Sequence, residues 1–512
     1  MTDSAHYLWG ARFLAIGQGY KTYNAIAPGL VPIISWPPCF SALMAIFLRL
    51  TSFGEIGSFK AANFSAFTLY AFSCAGIILS VFKTRHFRLL ALCFVFIPVV
   101  WRYLNLILSE MLFMAVLMAA AWTFLKAYKT HQGTSKYSLF ITSGTLCLLL
   151  GLTRFPGVIA VIPCAVIIMA SPTFTATFSQ RIKGAILFLL PSILGMSAWL
   201  ARNKLVAGYF TYLTAYRKYP SIPNSFETFA DFVRNSFLVI SGFTWTGWSG
   251  GIAGYLPAFL FYSILVILLV IAFDDIRKKN FDLRTVILGF MTSFLFLYLF
   301  GLYTLKLKKG FGDDPRYFHV VTPFIYLACL AALEWLIKLD LKGQVLKKLR
   351  ESCTILISGF LLAALAFSAI GTLKAAVDTF RRQSSRVEGL GPTGFDFSPW
   401  IFDRVRDTVK HADMLLSNNA AALAYPTQRQ CLEYRAVHRS NLNKAAKPHV
   451  PAIISQKLAS DAGQVYVVID KQYAFYIQDT PDWHEYFNLY RYEILEEDTH
   501  VIFVRITGLE HP

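Results

Sequence analysis

From residue 59 to residue 371 the chain alternates long apolar blocks with short polar, mostly basic links. Blocks at 59 to 83, 87 to 104, 107 to 127, 138 to 155, 157 to 171, 184 to 203, 252 to 273, 284 to 304, 318 to 338 and 353 to 371 each approach the roughly 20 residues an α-helix needs to cross a bilayer. The pattern predicts ten transmembrane helices, the one at 157 to 171 being the shortest. Residues 39 to 53 (CFSALMAIFLRLTSF) read as a short apolar helix, interfacial or half inserted. Before it, Tyr7, Leu8, Ala11, Leu14 and Ala15 recur every three or four positions. That spacing predicts a helix with one apolar face, too short to span and lying on the membrane surface. A break at Gly17, Gly19 and Tyr20 and a stop at Trp36-Pro37-Pro38 follow it.

The pattern changes after residue 371. SPWIFDRVRDTVKHA (398 to 412) reads as a helix, DMLLSN as a strand, NAAALAYPTQRQ as a helix and QVYVVID (464 to 470) as a buried strand. YRYEILEEDTHVIFVRI (490 to 506) reads as two strands joined by an acidic turn. The expected fold class is an α-helical multi-span membrane protein, about ten transmembrane helices plus interfacial helices, with a small C-terminal α/β domain. The domain boundary falls between 371 and 372, with residues 1-371 forming the transmembrane part and 372-512 the small domain. No Gly-rich phosphate loop follows any strand, so no nucleotide site is expected there.

Composition agrees: 512 residues are 55% hydrophobic and only 15% charged, with mean hydropathy +0.49, too apolar for a soluble domain. The formal net charge of +18 raises nucleic acid as a partner. Its Lys and Arg are scattered between apolar blocks rather than gathered into a stripe, which argues against one. Cys74, Cys93, Cys147, Cys164, Cys329 and Cys353 lie in or beside apolar stretches without metal-ligand spacing, and Cys431 is alone in the tail. Met1 leads into Thr2 and Asp3 without the regions of a signal peptide, so none is expected.

The basic links fall on alternate sides. Lys83, Arg85 and Arg88, then Lys126, Lys129 and Lys136, then Arg181 and Lys183, then Arg277 to Lys279 and Arg284, then Lys338 to Arg350 share one side when ten helices are threaded. The positive-inside rule makes that side cytoplasmic. Asp3, residues 106 to 110, the 204 to 251 loop, the 305 to 317 loop and the tail then face outward. An outward N-terminus either needs a helix ahead of it or crosses unaided, and the true start is expected upstream.

Several residues on the outward side can carry chemistry. Asp3 can take a proton from an incoming hydroxyl or amine, or it is a charge in a frayed terminus. Glu110 follows Ser109 among Leu, Met and Phe, where an acid is costly unless paired or lining a cavity; a helix-start acid behind a Ser109 cap is the plainer account. Arg154 and Arg202 end helices, where they hold a phosphate or reach for headgroups. Lys306, Lys308, Lys309 and Arg316, in KLKKGFGDDPRYF, are outward cations that break the charge rule. They suit a lipid phosphate or ordinary anionic headgroups. Asp313 and Asp314 pair with these cations or hold a divalent ion. Tyr209, Tyr212, Tyr216, Tyr219, Trp245 and Trp248 stack on sugar or prenyl groups, or form an interfacial belt.

In order along about the first 320 residues, Asp3-x-x-x-Tyr7 with Ala11, Leu14, Gly17, Gly19 and Tyr20, then Trp36-Pro37-Pro38, Ser109-Glu110, Thr153-Arg154, Arg202-Asn203 and Pro315-Arg316-Tyr317, form a series. It resembles the GT-C type multi-span glycosyltransferases that use polyprenyl-phosphate sugars, including protein O-mannosyltransferases and lipid A aminoarabinose transferases. The resemblance implies a helical bundle with interfacial helices in the first outward loop. It implies Asp3 as base, Glu110 as acceptor-side or organising acid, and Arg154, Arg202, Lys306, Lys308 and Arg316 as phosphate contacts, with Tyr7 and Tyr317 beside the substrate. Many relatives carry a second acid after the aspartate, where this chain has Ser4.

The expected function is inverting transfer of a sugar from a polyprenyl-phosphate donor to a lipid, glycan or protein acceptor, at the outer face of the cell inner (plasma) membrane. No cofactor is needed beyond a candidate divalent ion. The rival is a lipid-linked-saccharide transporter or export component. A transporter should show an internal repeat and mid-membrane charges, and neither is evident. A scaffold that merely presents the tail would have no use for the outward charges.

Overall fold

The computed structural model describes, with short gaps, residues 2–210, 232, 283–309, 315–338, 344–362, 399–433, 454–470 and 490–509. The predicted spans at 252 to 273 and, beyond residue 362, at 353 to 371 lie outside the described residues, as do the 204 to 251 aromatics after Tyr209. Among the described residues six helices are long and apolar enough to cross a membrane: Gly57–Val81, Glu110–Lys129, Ser135–Thr153, Phe178–Ala207, Val286–Tyr303 and Tyr317–Glu334. Each coincides with a predicted block, and the chain is a multi-pass membrane protein.

In order, the helices are α1 (Thr2–Ala15), α2 (Cys39–Leu50), α3 (Gly54–Val81), α4 (Arg85–Val95), α5 (Glu110–Lys129), α6 (Thr134–Thr153), α7 (Val161–Ala170), α8 (Phe178–Ala207), α9 (Leu283–Lys309), α10 (Pro315–His319), α11 (Thr322–Lys338) and α12 (Pro399–Thr408). A 3-10 turn, Phe155–Ala160, precedes α7. Residues 350–362 are also helical.

Helices α5 and α11 are apolar on every side and are buried on every side. In α5 the residues from Glu110 through Ala121 are all buried, and Phe324 to Leu333 are likewise buried in α11. A helix without a polar face must sit inside the bundle. The outer helices instead keep apolar side chains exposed, among them Phe64 and Phe72 of α3 and Ile186, Leu190 and Leu194 of α8. Those faces belong against lipid. Close packing of α6 on α8 rests on glycine: a Cβ on Gly144 would lie 1.9 Å from the carbonyl oxygen of Phe188. Ser192 donates to the Gly144 carbonyl at 2.8 Å beside this crossing, as small residues and short hydroxyls do where membrane helices touch.

The short block predicted at 157 to 171 carries the chain from one end of the bundle to the other. Arg154 begins it beside Glu110, and Arg181 on the following helix donates to the Met169 carbonyl at 3.0 Å near its finish. Six residues of 3-10 helix followed by ten of α-helix give ~27 Å, nearly a hydrocarbon thickness. The taller rise of the 3-10 turn explains how so few residues suffice.

At the Lys83 end, Glu334 of α11 is fully buried. Its carboxylate accepts the backbone N–H groups of Lys83 and Thr84 at 3.2 and 3.1 Å, at the start of α4, where negative charge suits the helix dipole. Glu334→Ala is expected to lower stability by about 1–3 kcal/mol, read as a fall in Tm in detergent, because two amides lose their acceptor.

The N-terminal helix departs from expectation. Residues Tyr7, Leu8, Trp9, Gly10 and Ala11 are consecutive and all buried, so α1 is enclosed on several sides rather than lying on the membrane with one apolar face. It packs on α2, whose Phe40, Ser41, Met44 and Ala45 form the buried face. Ser41 donates to the Tyr7 carbonyl at 2.9 Å. Gly10 makes the enclosure possible, since a Cβ there would meet the Tyr20 ring at 2.4 Å. Helix α1 ends at Gly17, φ 78°, with Gln18 N–H bonded back to the Phe13 carbonyl at 2.9 Å, a left-handed stop that glycine favours.

The tail forms a five-stranded sheet in the order β4-β3-β5-β7-β6, from β3 (Met414–Ser417), β4 (Cys431–Glu433), β5 (Val465–Asp470), β6 (Tyr490–Glu497) and β7 (Val501–Leu509). The first three strands are parallel, and β7 runs antiparallel to both β5 and β6. Alternate residues sort onto two faces. Leu416, Val465, Val467, Ile469, Ile502, Val504 and Ile506 pack with Ile454, while Leu415, Tyr466, Val468 and Phe503 share a core with Ile401, Val405 and Val409. Strand β4 escaped the sequence pattern because only three residues of it pair.

Candidate active site

One end of the bundle gathers polar side chains from several elements. Glu110 opens α5 and Arg154 follows α6, and Nη1 of Arg154 lies 2.8 Å from Oε1 of Glu110. The carboxylate is 2% exposed and the guanidinium 12%. This Nη1 approaches as a cation without an aligned hydrogen bond, and Glu110 Oε2 has no hydrogen-bond partner among the described residues. A buried carboxylate oxygen left without a donor is costly and calls for an explanation.

Around this pair stand aromatic groups. The Tyr7 hydroxyl donates to Ser109 Oγ at 3.0 Å. The Ser109 cap that is the alternative account of Glu110 is not made, as Ser109 has a helical backbone and makes no side-chain cap bond. Arg154 lies over the Tyr317 ring at 4.8 Å, so it does not reach for headgroups; the carboxylate and the ring hold it inside. The Tyr298 hydroxyl donates to the Tyr317 carbonyl at 3.0 Å. Tyr103 Oη and His319 Nδ1 are 2.9 Å apart, and Asn63 donates to the carbonyls of Tyr103 and Leu104 at 3.2 and 2.9 Å.

Arg202 has a different setting. Its guanidinium donates to the carbonyls of Ile33 at 2.9 Å and Tyr20 at 3.2 Å, and lies over the Trp199 ring. It thereby closes the small hairpin of β1 (Lys21–Tyr23) and β2 (Leu30–Pro32) onto the end of α8. Burial pushes the Tyr20 phenol up, against the Ser41 hydrogen bond and the Arg202 charge, so it stays a donor, directed at the Pro37 carbonyl at 3.4 Å. His6 stacks on Trp36 at 4.1 Å and meets Thr22 Oγ1 at 3.2 Å. The Trp36-Pro37-Pro38 stop is thus held against α1.

Of the residues singled out from sequence, Tyr7, Glu110, Arg154 and Tyr317 come together, and Arg202 stands at the neighbouring hairpin. Asp3 lies in α1 one turn before Tyr7. Lys306 and Lys308 lie in α9 and Arg316 in α10. The side chains of Asp3, Lys306, Lys308 and Arg316 are outside the described residues, as are Asp313 and Asp314. Among the described residues no cluster of His, Cys, Asp and Glu could hold a metal ion. Asn63, Tyr103, Tyr298 and His319 were missed; the one signal was a polar or phenolic group inside an otherwise apolar block.

No family model and no curated protein matches the sequence. Among solved structures, ArnT from Cupriavidus metallidurans in the apo state overlays with TM-score 0.54 at 10% identity, covering 98% of this chain and 93% of that one. The same protein bound to undecaprenyl phosphate overlays with TM-score 0.51 at 12% identity and the same coverage. The oligosaccharyltransferase of Archaeoglobus fulgidus tethered with an acceptor peptide gives TM-score 0.46 at 12% identity, covering 98% of this chain and 69% of that one. The chain has the fold of ArnT, a helical membrane bundle such as the motif series implied.

Proposed function

We propose that the protein is an inverting glycosyltransferase that moves a sugar from a polyprenyl phosphate to a hydroxyl or amine acceptor at the outer face of the membrane. The observation that carries this reading is the buried Glu110–Arg154 pair with one carboxylate oxygen unpartnered, beside the helix that bears Asp3, in a chain that overlays on ArnT. That ArnT binds undecaprenyl phosphate supports a polyprenyl-phosphate donor here. Residues 1-371 form the catalytic domain in this reading, and 372-512 an extracytoplasmic domain.

The acceptor gives its proton to Asp3 while its oxygen or nitrogen bonds to the anomeric carbon. The bond from that carbon to the phosphate oxygen breaks with inversion, and the phosphate leaves with the electron pair. Arg316, Lys306 and Lys308 stabilise the charge that collects on it, the usual main source of rate in such a step. Glu110 accepts a hydrogen bond from the acceptor through its unpartnered oxygen, and Arg154 holds that carboxylate in place. Tyr7 and Tyr317 shape the walls, and Arg202 holds the hairpin that borders them.

Asp3→Asn is expected to cut transfer at least ~100-fold, the scale of a lost general base, with the protein still inserted. Transfer of a labelled sugar from a polyprenyl phosphate in washed membranes measures it; undiminished turnover would remove Asp3 from the reaction.

A further inference from the structure

Helix α10, Pro315–His319, has five residues, too few to hold a shape by its own hydrogen bonds. It is gripped from outside at three points. Tyr298 of α9 donates to the Tyr317 carbonyl. Arg154 covers the Tyr317 ring. His319 Nδ1 meets the hydroxyl of Tyr103 at 2.9 Å, across 216 positions of sequence. Tyr103 is in turn fixed from behind, because Asn63 in the third turn of α3 donates to its carbonyl and to the next. Tyr103 is buried and His319 nearly so. Inside apolar surroundings such a network is kept only when its members are satisfied together.

We infer that Tyr103 and His319 form a latch that positions α10, and with it Arg316, for the phosphate of a polyprenyl donor. Arg316 stands just ahead of the two gripped residues, one before Tyr317 and three before His319. Neither Tyr103 nor His319 touches the reacting atoms; both are positioning residues. The inference rests on the reading of Arg316 as a phosphate contact, and its structural half stands apart from that reading.

The test uses the full chain in detergent with two readouts, amide hydrogen exchange over 315–320 and binding of a polyprenyl phosphate alone. Tyr103→Phe removes one hydroxyl and is expected to speed exchange over 315–320 and weaken binding about fivefold to tenfold, the scale of one neutral hydrogen bond. His319→Phe should do the same, and His319→Asn, which keeps an amide group close to Nδ1, should restore binding to within about threefold of the parent. In the Tyr103→Phe/Arg316→Gln double variant the losses should not add, as expected of coupled residues. Unchanged exchange in Tyr103→Phe overturns the latch. Faster exchange with unchanged or independently additive binding overturns its role in holding Arg316. If the parent protein itself binds no polyprenyl phosphate, the donor reading fails, while the exchange data still decide the latch.

Discussion

Glu110→Leu is expected to end transfer and to destabilise the protein by about 3–5 kcal/mol, because it strands the Arg154 charge in a buried setting. The Arg154 side chain is 12% exposed and that of Glu110 2%, so bulk water does not replace the missing partner in the resting bundle. The double variant Glu110→Leu/Arg154→Leu should recover most of that stability, since replacing both charges removes the desolvation cost as well as the attraction. It should not recover activity. Thermal unfolding in detergent alongside the membrane transfer assay measures both quantities. A double variant as unstable as the single one would mean that the stranded charge is not the cause.

The second large effect is expected at a glycine with no chemical role. Gly144→Ala should cost about 3 kcal/mol, at the upper end for overpacking, and Gly144→Leu should leave little folded protein. The added Cβ would stand 1.9 Å from one backbone oxygen and 2.9 Å from its carbon, and a backbone cannot rotate away as a side chain can. Gly359 is the control, with nothing within 4 Å of an added Cβ; there alanine should be neutral or stabilising by about 1 kcal/mol through helix propensity. Folded yield by size exclusion and Tm separate the two sites. Equal behaviour at both would place the α6–α8 contact elsewhere than at Gly144.

The spans were legible because length and hydropathy alone define a bilayer crossing. Gly57–Val81 and Val286–Tyr303 fall where blocks 59 to 83 and 284 to 304 predict them. The tail strands β5 and β7 were legible from alternation and β-branched content. What the pattern could not say is which apolar faces meet protein and which meet lipid. Tyr7, Leu8, Ala11, Leu14 and Ala15 imply a one-faced surface helix, whereas Trp9 and Gly10 are buried too, because Tyr20 and α2 fold back over them. Hydropathy scores a lipid contact and a protein contact alike. In the site, Glu110 and Arg154 stood out as charges at the ends of apolar blocks, yet their pairing spans a whole helical hairpin and needs its geometry. Tyr103 and His319 carried only the signal of a phenol and an imidazole inside apolar blocks, where both sit comfortably, and their 2.9 Å approach depends on how α3, α9 and α11 assemble.

The Glu110–Arg154 contact also has a mechanical meaning. Helices α5 and α6 are joined covalently at one end by residues 130–133 and tied at the other by this ion pair. The two rods are therefore pinned at both extremities and behave as a stator.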